Sequence, residues 1–298
     1  MTVHCDDVSA SRPSVAMRPT RLAFLACLSV LSLSACASRP PEQVAAAKLA
    51  FAPERPTPAA DIMSFPGPRR GLSGRTIRVD HVSDIVLARG EVVLTFDDGP
   101  YPGRTSTILN TLDSYGVKAT FFMVGSMAAA HPGAAREVAA RGHTIGTHSQ
   151  DHRNLASISF EAAMADIDQG RRNVMAATGS PARFFRFPYL ASTPALRRQL
   201  ASQGIVDVSP TVDSKDYFTS TPAQVRARAI TALVRRGSGV VLFHDIQQRT
   251  VTMLPGFLDD LKARGFSVVR LVPGSGGAAA PLVAAAEPAP AAQPPVTQ

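Results

Sequence analysis

The chain contains no tryptophan and only three cysteines in 298 residues. The cysteines are Cys5, Cys27 and Cys36, so all of them lie near the N-terminus. If an N-terminal signal is removed before Cys36, the remaining chain has a single thiol and cannot form an internal disulfide. Its stability must then come from a hydrophobic core or from bound metal.

The sequence also lacks the patterns that are typical of nucleic-acid binding. Lysine and arginine number 31 against 23 aspartates and glutamates, which gives a formal net charge of +8. However, there is no basic helix and no interleaving of aromatic and basic residues. The basic excess is better explained by solubility and by proximity to an anionic surface, and we expect no nucleic-acid partner.

The N-terminal segment has the features of an export signal. An apolar stretch at 22–33 follows two arginines, and it is too short to favour a membrane-spanning helix. The residues LSAC then end at Cys36, and small residues before a cysteine resemble a bacterial lipoprotein signal. We expect 1–36 to be a signal peptide that ends at a lipidated Cys36. The resemblance implies a lipid anchor in the outer membrane of a Gram-negative cell envelope, facing the periplasm; an ordinary cleaved signal is the alternative.

Composition divides the rest of the chain into three parts. Residues 37–79 are rich in proline and alanine and are expected to form a tether. Residues 273–298 carry one charged residue, Glu287, and are expected to be a disordered tail because they have little to bury. The remainder, 80–272, has the length of one α/β domain.

Within 80–272, apolar strand-like segments alternate with helical ones. The first strand is predicted at 91–96, where most residues are apolar or β-branched. The next helix is predicted at 104–115, with Gly116 as its stop signal. Seven such alternations predict an α/β fold with parallel strands, arranged as a barrel or as a wound sheet.

Polar side chains follow nearly every predicted strand. Because the carboxyl ends of parallel barrel strands face one rim, we expect these side chains to converge. The residues concerned are Asp97, Asp98, His148, His152, Arg186, Asp216 and His244.

The spacing of His148 and His152 allows two imidazoles to bind one metal. A zincin protease would need glutamate directly after the first histidine, where this chain has Ser149. Two histidines and one aspartate bind a divalent metal and leave positions open. The same donors form the iron site of some oxygenases, but the all-β fold usual for those enzymes does not match the alternating pattern.

Five short motifs together resemble one known family. They are TFDDGP at 95–100, HSQDH at 148–152, RFPY at 186–189, DSKDY at 213–217 and LFH at 242–244. The chain resembles the polysaccharide deacetylases, also called the NodB-homology domain or carbohydrate esterase family four, over about 91–272. This resemblance implies a distorted (β/α) barrel of about seven strands.

The resemblance also implies the metal site and the general base. Asp98, His148 and His152 would hold a divalent metal. Zinc is the expected ion, and cobalt, nickel and manganese are alternatives. Asp97 would take a proton from the attacking water, and Arg186 would pair with Asp97 and orient it.

The resemblance assigns the remaining motif residues to the substrate side. His244, oriented by Asp216, would protonate the leaving amine, and the backbone N–H of Tyr189 would donate to the oxyanion. Leu242 would line the pocket for the acetyl methyl group. Tyr217 stands where the family usually has tryptophan; because tyrosine still offers a stacking face, we expect altered sugar packing.

The function expected from this resemblance is removal of N-acetyl groups from a glycan that contains N-acetylglucosamine, with release of acetate. Peptidoglycan, chitooligosaccharide and exopolysaccharide are the candidate substrates. An O-acetyl esterase with the same residues and an inactive glycan-binding lipoprotein are the alternatives. We expect a monomer that contacts the membrane through its N-terminal lipid.

Overall fold

The structure is a computed structural model that describes residues 71–276. The expected signal peptide, lipidated Cys36, most of the tether and most of the tail lie outside the described residues. Over 71–276, no helix has both the length and the apolar character needed to cross a membrane.

The described residues contain nine strands, and every recorded pairing between them is parallel. The strands are β1 (Ser73–Val79), β2 (Glu91–Asp97), β3 (Thr120–Met123), β4 (Thr144–Thr147), β5 (Phe184–Phe185), β6 (Val206–Asp207), β7 (Val212–Asp213), β8 (Gly239–His244) and β9 (Ser267–Pro273).

The α-helices lie between these strands. They are α1 (Arg104–Ser114), α2 (Gly125–Ala130), α3 (Pro132–Ala140), α4 (Phe160–Thr178), α5 (Pro194–Ser202), α6 (Pro222–Arg236) and α7 (Gln248–Ala263).

Local sequence signals explain where the longer helices begin and end. The Ser159 hydroxyl accepts a hydrogen bond from the Ala162 N–H at the start of α4, and Gly179 ends this helix in the left-handed conformation. Helix α6 begins with a reciprocal capping box between Thr221 and Gln224 and ends at Gly237, again left-handed. These signals fix where α4 and α6 begin and end.

Seven strands lie side by side in the order β7-β8-β2-β3-β4-β5-β6. Strands β9 and β1 extend the sheet from the beginning of β2, where Glu91 pairs with Ser267. Among the described strands, no pairing joins β6 to β7, so the barrel is open at this seam. The predicted α/β fold is confirmed, and the seven-strand run is the distorted barrel that the family resemblance implied.

Strand β2 lies at the centre, and all seven of its residues are buried. Alternation along the strand puts Leu94 and Phe96 in the apolar layer beneath the helices and Val93 in a second cluster inside the barrel. By the same alternation, Thr95 and Asp97 share the inner face with Val93. The strand therefore delivers a carboxylate to the interior of the barrel at its carboxyl end.

The predicted domain boundary at residue 80 is corrected, because β1 falls within the segment assigned to the tether. In β1, only Ile77 and Val79 are buried, so the segment shows almost no apolar pattern of its own. Its partner is β9, and Gly274, which follows β9, donates its backbone N–H to Val79 O. The contacts that make 73–79 a strand therefore come from almost 200 residues away, and the start of the predicted tail belongs to the same arrangement.

The seven predicted alternations also leave no place for two short elements, strand β7 and helix α2. Strand β7 follows β6 after Pro210, and α2 directly precedes α3. Strand β7 has only two residues, and α2 has six, so neither shows a full period of its pattern.

Candidate active site

The polar residues that follow the strands meet around one cavity at the carboxyl rim, as the strand-end rule predicted. The cavity has a volume of about 350 Å³. Arg186 and Asp216 are fully buried and do not line it, but each contacts a residue that does. The other predicted site residues line it together with Phe187, Leu190 and Asp213; these are Asp97, Asp98, His148, His152, Tyr189, Tyr217, Leu242 and His244.

A buried ion pair joins Asp97 to Arg186. Arg186 Nη1 donates to Asp97 Oδ1 at 2.7 Å and to the Thr95 hydroxyl at 2.8 Å. Burial raises the pKa of Asp97 above its ordinary value, and the charge of Arg186 opposes that rise. Because Oδ1 is held by Arg186, Oδ2 is the oxygen left to accept a proton.

Asp98, His148 and His152 form a candidate metal centre, with donor atoms within 4.8 Å of one another. His152 Nε2 lies 3.3 Å and His148 Nε2 lies 3.6 Å from Asp98 Oδ1. This oxygen is buried and has no hydrogen-bond partner in the described part of the chain. An orphaned carboxylate oxygen facing two imidazole nitrogens is the donor set that a divalent transition metal takes.

A hydrogen bond at Nδ1 and the burial of the ring set the protonation state of the His148 imidazole. His148 Nδ1 lies 2.7 Å from the Arg186 carbonyl oxygen, so the proton belongs on Nδ1 and the Nε2 lone pair faces Asp98. Burial lowers the pKa of His148 to about 3, so the ring is neutral at neutral pH. A neutral imidazole with a free Nε2 lone pair is the form that binds a metal.

The loop that carries both histidines is held in an unusual backbone conformation. Ser149 and His152 have φ angles of 65° and 53°, in the left-handed region that favours glycine. The Ser149 hydroxyl accepts from the His152 N–H at 3.0 Å. The Asp166 carboxylate on α4 accepts from the Gln150 N–H at 2.8 Å. A buried carboxylate thus fixes the loop midway between the two ligands.

Two glycines let the neighbouring helices approach this loop. A Cβ added to Gly170 on α4 would lie 2.5 Å from the Ser149 carbonyl carbon, and one on Gly125 of α2 would lie 2.5 Å from the Gly170 Cα. The Gly125 N–H donates to Ser149 O, and the Ser126 N–H donates to Gln150 O. The loop is therefore clamped between α2 and α4, and both glycines are required by close approach.

His244, which lines the cavity, forms a second buried pair with Asp216. Asp216 Oδ1 lies 2.7 Å from His244 Nδ1, while Oδ2 accepts from the His244 N–H and from the Thr250 hydroxyl. Burial alone lowers the pKa of His244, but the hydrogen bond and charge of Asp216, together with Asp97 and Asp98, raise it to about 9. His244 is thus protonated at neutral pH, with Nε2 3.9 Å from Asp98 Oδ2.

Aromatic side chains form the outer wall of the cavity. Tyr217 lies edge-on to His244, with ring centroids 5.5 Å apart, and its hydroxyl donates to Asp213 Oδ2 at 2.8 Å. Tyr189 lies edge-on to His152 at 4.7 Å and is 66% exposed. Exposed rings beside a polar centre suit a ligand that has both apolar faces and hydroxyl groups.

Sequence reasoning missed several residues that support the site. Thr95 and Thr250 are buried hydroxyls that hydrogen-bond to Arg186 and Asp216, respectively, and no pattern distinguishes Thr250 from other core threonines. Asp166 lies in a helix, and from the sequence alone it is interpreted as a charged residue that faces solvent. Thr95 had one available signal, because it belongs to the motif TFDDGP.

The polysaccharide deacetylase family model matches residues 86–208. The peptidoglycan-N-acetylglucosamine deacetylase PgdA of Listeria monocytogenes is 32% identical over 181 residues, which cover 60% of this chain and 38% of that protein. This chain thus aligns with well under half of the Listeria relative. The chitin deacetylase of Colletotrichum lindemuthianum is 32% identical over 195 residues, covering 60% of this chain and 77% of that protein.

One solved structure is similar to this chain in both fold and sequence. The peptidoglycan deacetylase of Bdellovibrio bacteriovorus superposes with a TM-score of 0.61 and 34% sequence identity, covering 74% of this chain and 63% of that chain.

The contact between Asp166 and the ligand loop leads to a prediction about metal affinity. Asp166→Ala removes the acceptor of the Gln150 N–H, so the two histidines lose their fixed spacing, and we expect the Kd for Zn²⁺ to rise about tenfold. Chelator competition measures this Kd. Asp166→Asn keeps an acceptor oxygen and should restore most of the affinity. Glu161→Ala, an exposed change on the same helix, is the control. An unchanged Kd in folded Asp166→Ala would contradict the prediction.

Proposed function

Because this chain belongs to the polysaccharide deacetylase family, we propose that it is a metal-dependent hydrolase that removes N-acetyl groups from N-acetylglucosamine-containing glycan and releases acetate. Peptidoglycan, chitooligosaccharide and exopolysaccharide are the candidate substrates. The observation that carries the proposal is that a buried carboxylate, Asp97, and a protonated imidazole, His244, line one cavity beside a candidate metal centre.

Asp98, His148 and His152 would hold the metal, which we propose to be zinc, with cobalt, nickel or manganese as alternatives. The orphaned Asp98 oxygen and the neutral His148 ring support this assignment. When bound there, such an ion polarises a carbonyl oxygen and lowers the pKa of water.

Asp97 acts as the general base. Its Oδ1 stays on Arg186, and its Oδ2, which lies 3.8 Å from His148 Nε2, accepts the proton of the attacking water. Burial raises the basicity of this oxygen, while the ion pair holds its position. The water oxygen then bonds to the acetyl carbon. The Tyr189 backbone N–H donates to the oxyanion, and Leu242 packs against the methyl group.

His244 acts as the general acid. Asp216 holds the Nδ1 proton, so His244 Nε2 is the atom that donates a proton to the leaving nitrogen as the carbon–nitrogen bond breaks. The products are acetate and a free amine on the sugar. The same residues would also cleave an O-acetyl ester, and the choice of substrate in the assay decides between the two reactions.

We also propose that the protein is a monomer anchored through lipid on Cys36 at the outer membrane, facing the periplasm. The order of two arginines, a short apolar stretch and LSAC supports this location. An enzyme held there by a tether reaches glycan of the cell envelope.

The first test measures acetate release from N-acetylglucosamine oligomers and from peptidoglycan. We expect release that a chelator abolishes and zinc restores, and we expect Asp97→Asn to lower kcat by about 10² to 10⁴-fold, since it removes the base. Glu161→Gln is the control for an exposed carboxylate. If the metal-loaded protein releases nothing from N-acetylated glycan but acts on O-acetyl esters, it is an esterase; no release from either leaves glycan binding alone.

The second test uses the pH profile of kcat/KM. Only protonated His244 can act as the acid, so activity falls as pH rises through the pKa that Asp216 raises. Asp216→Asn keeps an acceptor for Nδ1 but removes the charge, and the alkaline limb should move about one to three pH units lower. Asp213→Asn, which alters the cavity without contacting His244 Nδ1, should leave that limb in place. A limb unmoved in Asp216→Asn would rule out His244 as the acid.

The third test concerns the anchor. In growing cells fed a labelled fatty acid, the wild-type chain should take up label and sediment with membranes, because Cys36 is the acylated residue. Cys36→Ala should take up none and stay in the soluble fraction. Equal labelling of the two chains would place the lipid elsewhere, and no labelling of the wild type would reject the anchor.

A further inference from the structure

A second cavity of about 550 Å³ adjoins the first one at the candidate metal centre. Asp98 and His152 line both cavities, which therefore meet at these two residues. The other walls of the second cavity come from the loop before α1 and its first residue, from the region of α2, from the loop between His148 and His152, and from the residue after Asp245. They are Tyr101, Arg104, Val124, Ser126, Met127, Asp151 and Ile246.

The two cavities differ in their chemistry. Asp97 and His244 line the first cavity, and neither lines the second. The bond that is cleaved must therefore lie in the first cavity, where both proton-transfer groups are. If the same substrate molecule also extends into the second cavity, the part that lies there is not the part that reacts.

We propose that the second cavity binds the sugar ring next to the one that is deacetylated, with Tyr101 as its main contact. This inference rests on the proposed function and adds to it a residue, Tyr101, on which the use of longer substrates depends. A pyranose ring has apolar C–H faces and a rim of hydroxyl groups. The cavity offers both kinds of partner: apolar Val124, Met127 and Ile246, and polar Ser126 and Asp151.

Tyr101 is a preorganised contact. Its ring packs against the Arg104 guanidinium at 4.5 Å, and Arg104 Nη1 donates to Ile246 O at 2.5 Å. The Tyr101 N–H donates to the Thr105 hydroxyl, which fixes the backbone below the ring. The side chain is still 40% exposed, so an aromatic surface is held ready at the mouth of the cavity. An ordered ring loses little conformational freedom on binding.

The charges of the cavity favour an uncharged ligand group. Arg104 and Asp151 have opposite signs, and Asp98 belongs to the candidate metal centre. A strongly charged group would therefore meet one wall of its own sign. A neutral N-acetylated sugar meets no such opposition.

The test compares kcat/KM for N-acetylglucosamine with kcat/KM for its tetramer. Binding energy from a second sugar can raise kcat/KM for the tetramer but not for the single sugar. Tyr101→Ala should therefore lower the ratio of the tetramer's kcat/KM to the monomer's roughly three- to tenfold. Tyr101→Phe keeps the ring and should keep the ratio. Phe160→Ala removes an equally exposed ring, 40%, that lines neither cavity, and it is the control for loss of a surface aromatic.

Calorimetric binding of the same oligomers to metal-loaded Asp97→Asn separates this inference from the proposed function. If affinity rises with chain length and Tyr101→Ala removes that rise, the second cavity binds sugar even when the wild type releases no acetate. If acetate is released but Tyr101→Ala changes neither the kinetic ratio nor the dependence of affinity on length, the subsite is rejected and the deacetylase remains.

Discussion

The buried Arg186–Asp97 ion pair is the interaction on which the rest of the site depends. Arg186 is fully buried, and its guanidinium reaches Asp97 at the end of β2 and the Val208 carbonyl after β6. Its own carbonyl accepts from His148. One residue thus positions the base, orients a candidate metal ligand and joins two distant strands. Because a buried charge without its partner costs about 3–5 kcal/mol, the two residues stabilise the fold only together.

Backbone strain in the described residues concentrates at the same rim. Every residue other than glycine with a left-handed φ belongs to a loop that carries a site residue. Each such residue costs on the order of 1–3 kcal/mol, which persists only where surrounding contacts overdetermine the conformation. The α2–α4 clamp on the histidine loop supplies such contacts. The strained residues are Asp98, Ser149, His152, Tyr189, Leu190 and Lys215.

The sequence was sufficient wherever the determining pattern is local. Strand β2 and helix α6 carry their own apolar pattern and their own start and stop signals, and the rule that strand ends converge predicts that Asp97 and His244 lie close together. Strand β1 was missed because its stability comes from β9 at the far end of the domain. Asp166 and Tyr101 were missed for a related reason: their importance lies in what packs against them, and no spacing in the chain encodes that.

The open seam between β6 and β7 bears on how molecules of this protein meet one another. An incomplete barrel has free strand edges, and a free edge can pair with a strand of another molecule. Here both strands at the seam have only two residues, so each edge has few backbone groups to share. The longer edge strand, β1, carries the exposed Arg78, whose charge opposes approach by a second copy. The barrel can thus stay open without acting as a template for intermolecular sheets, even where many copies are crowded together.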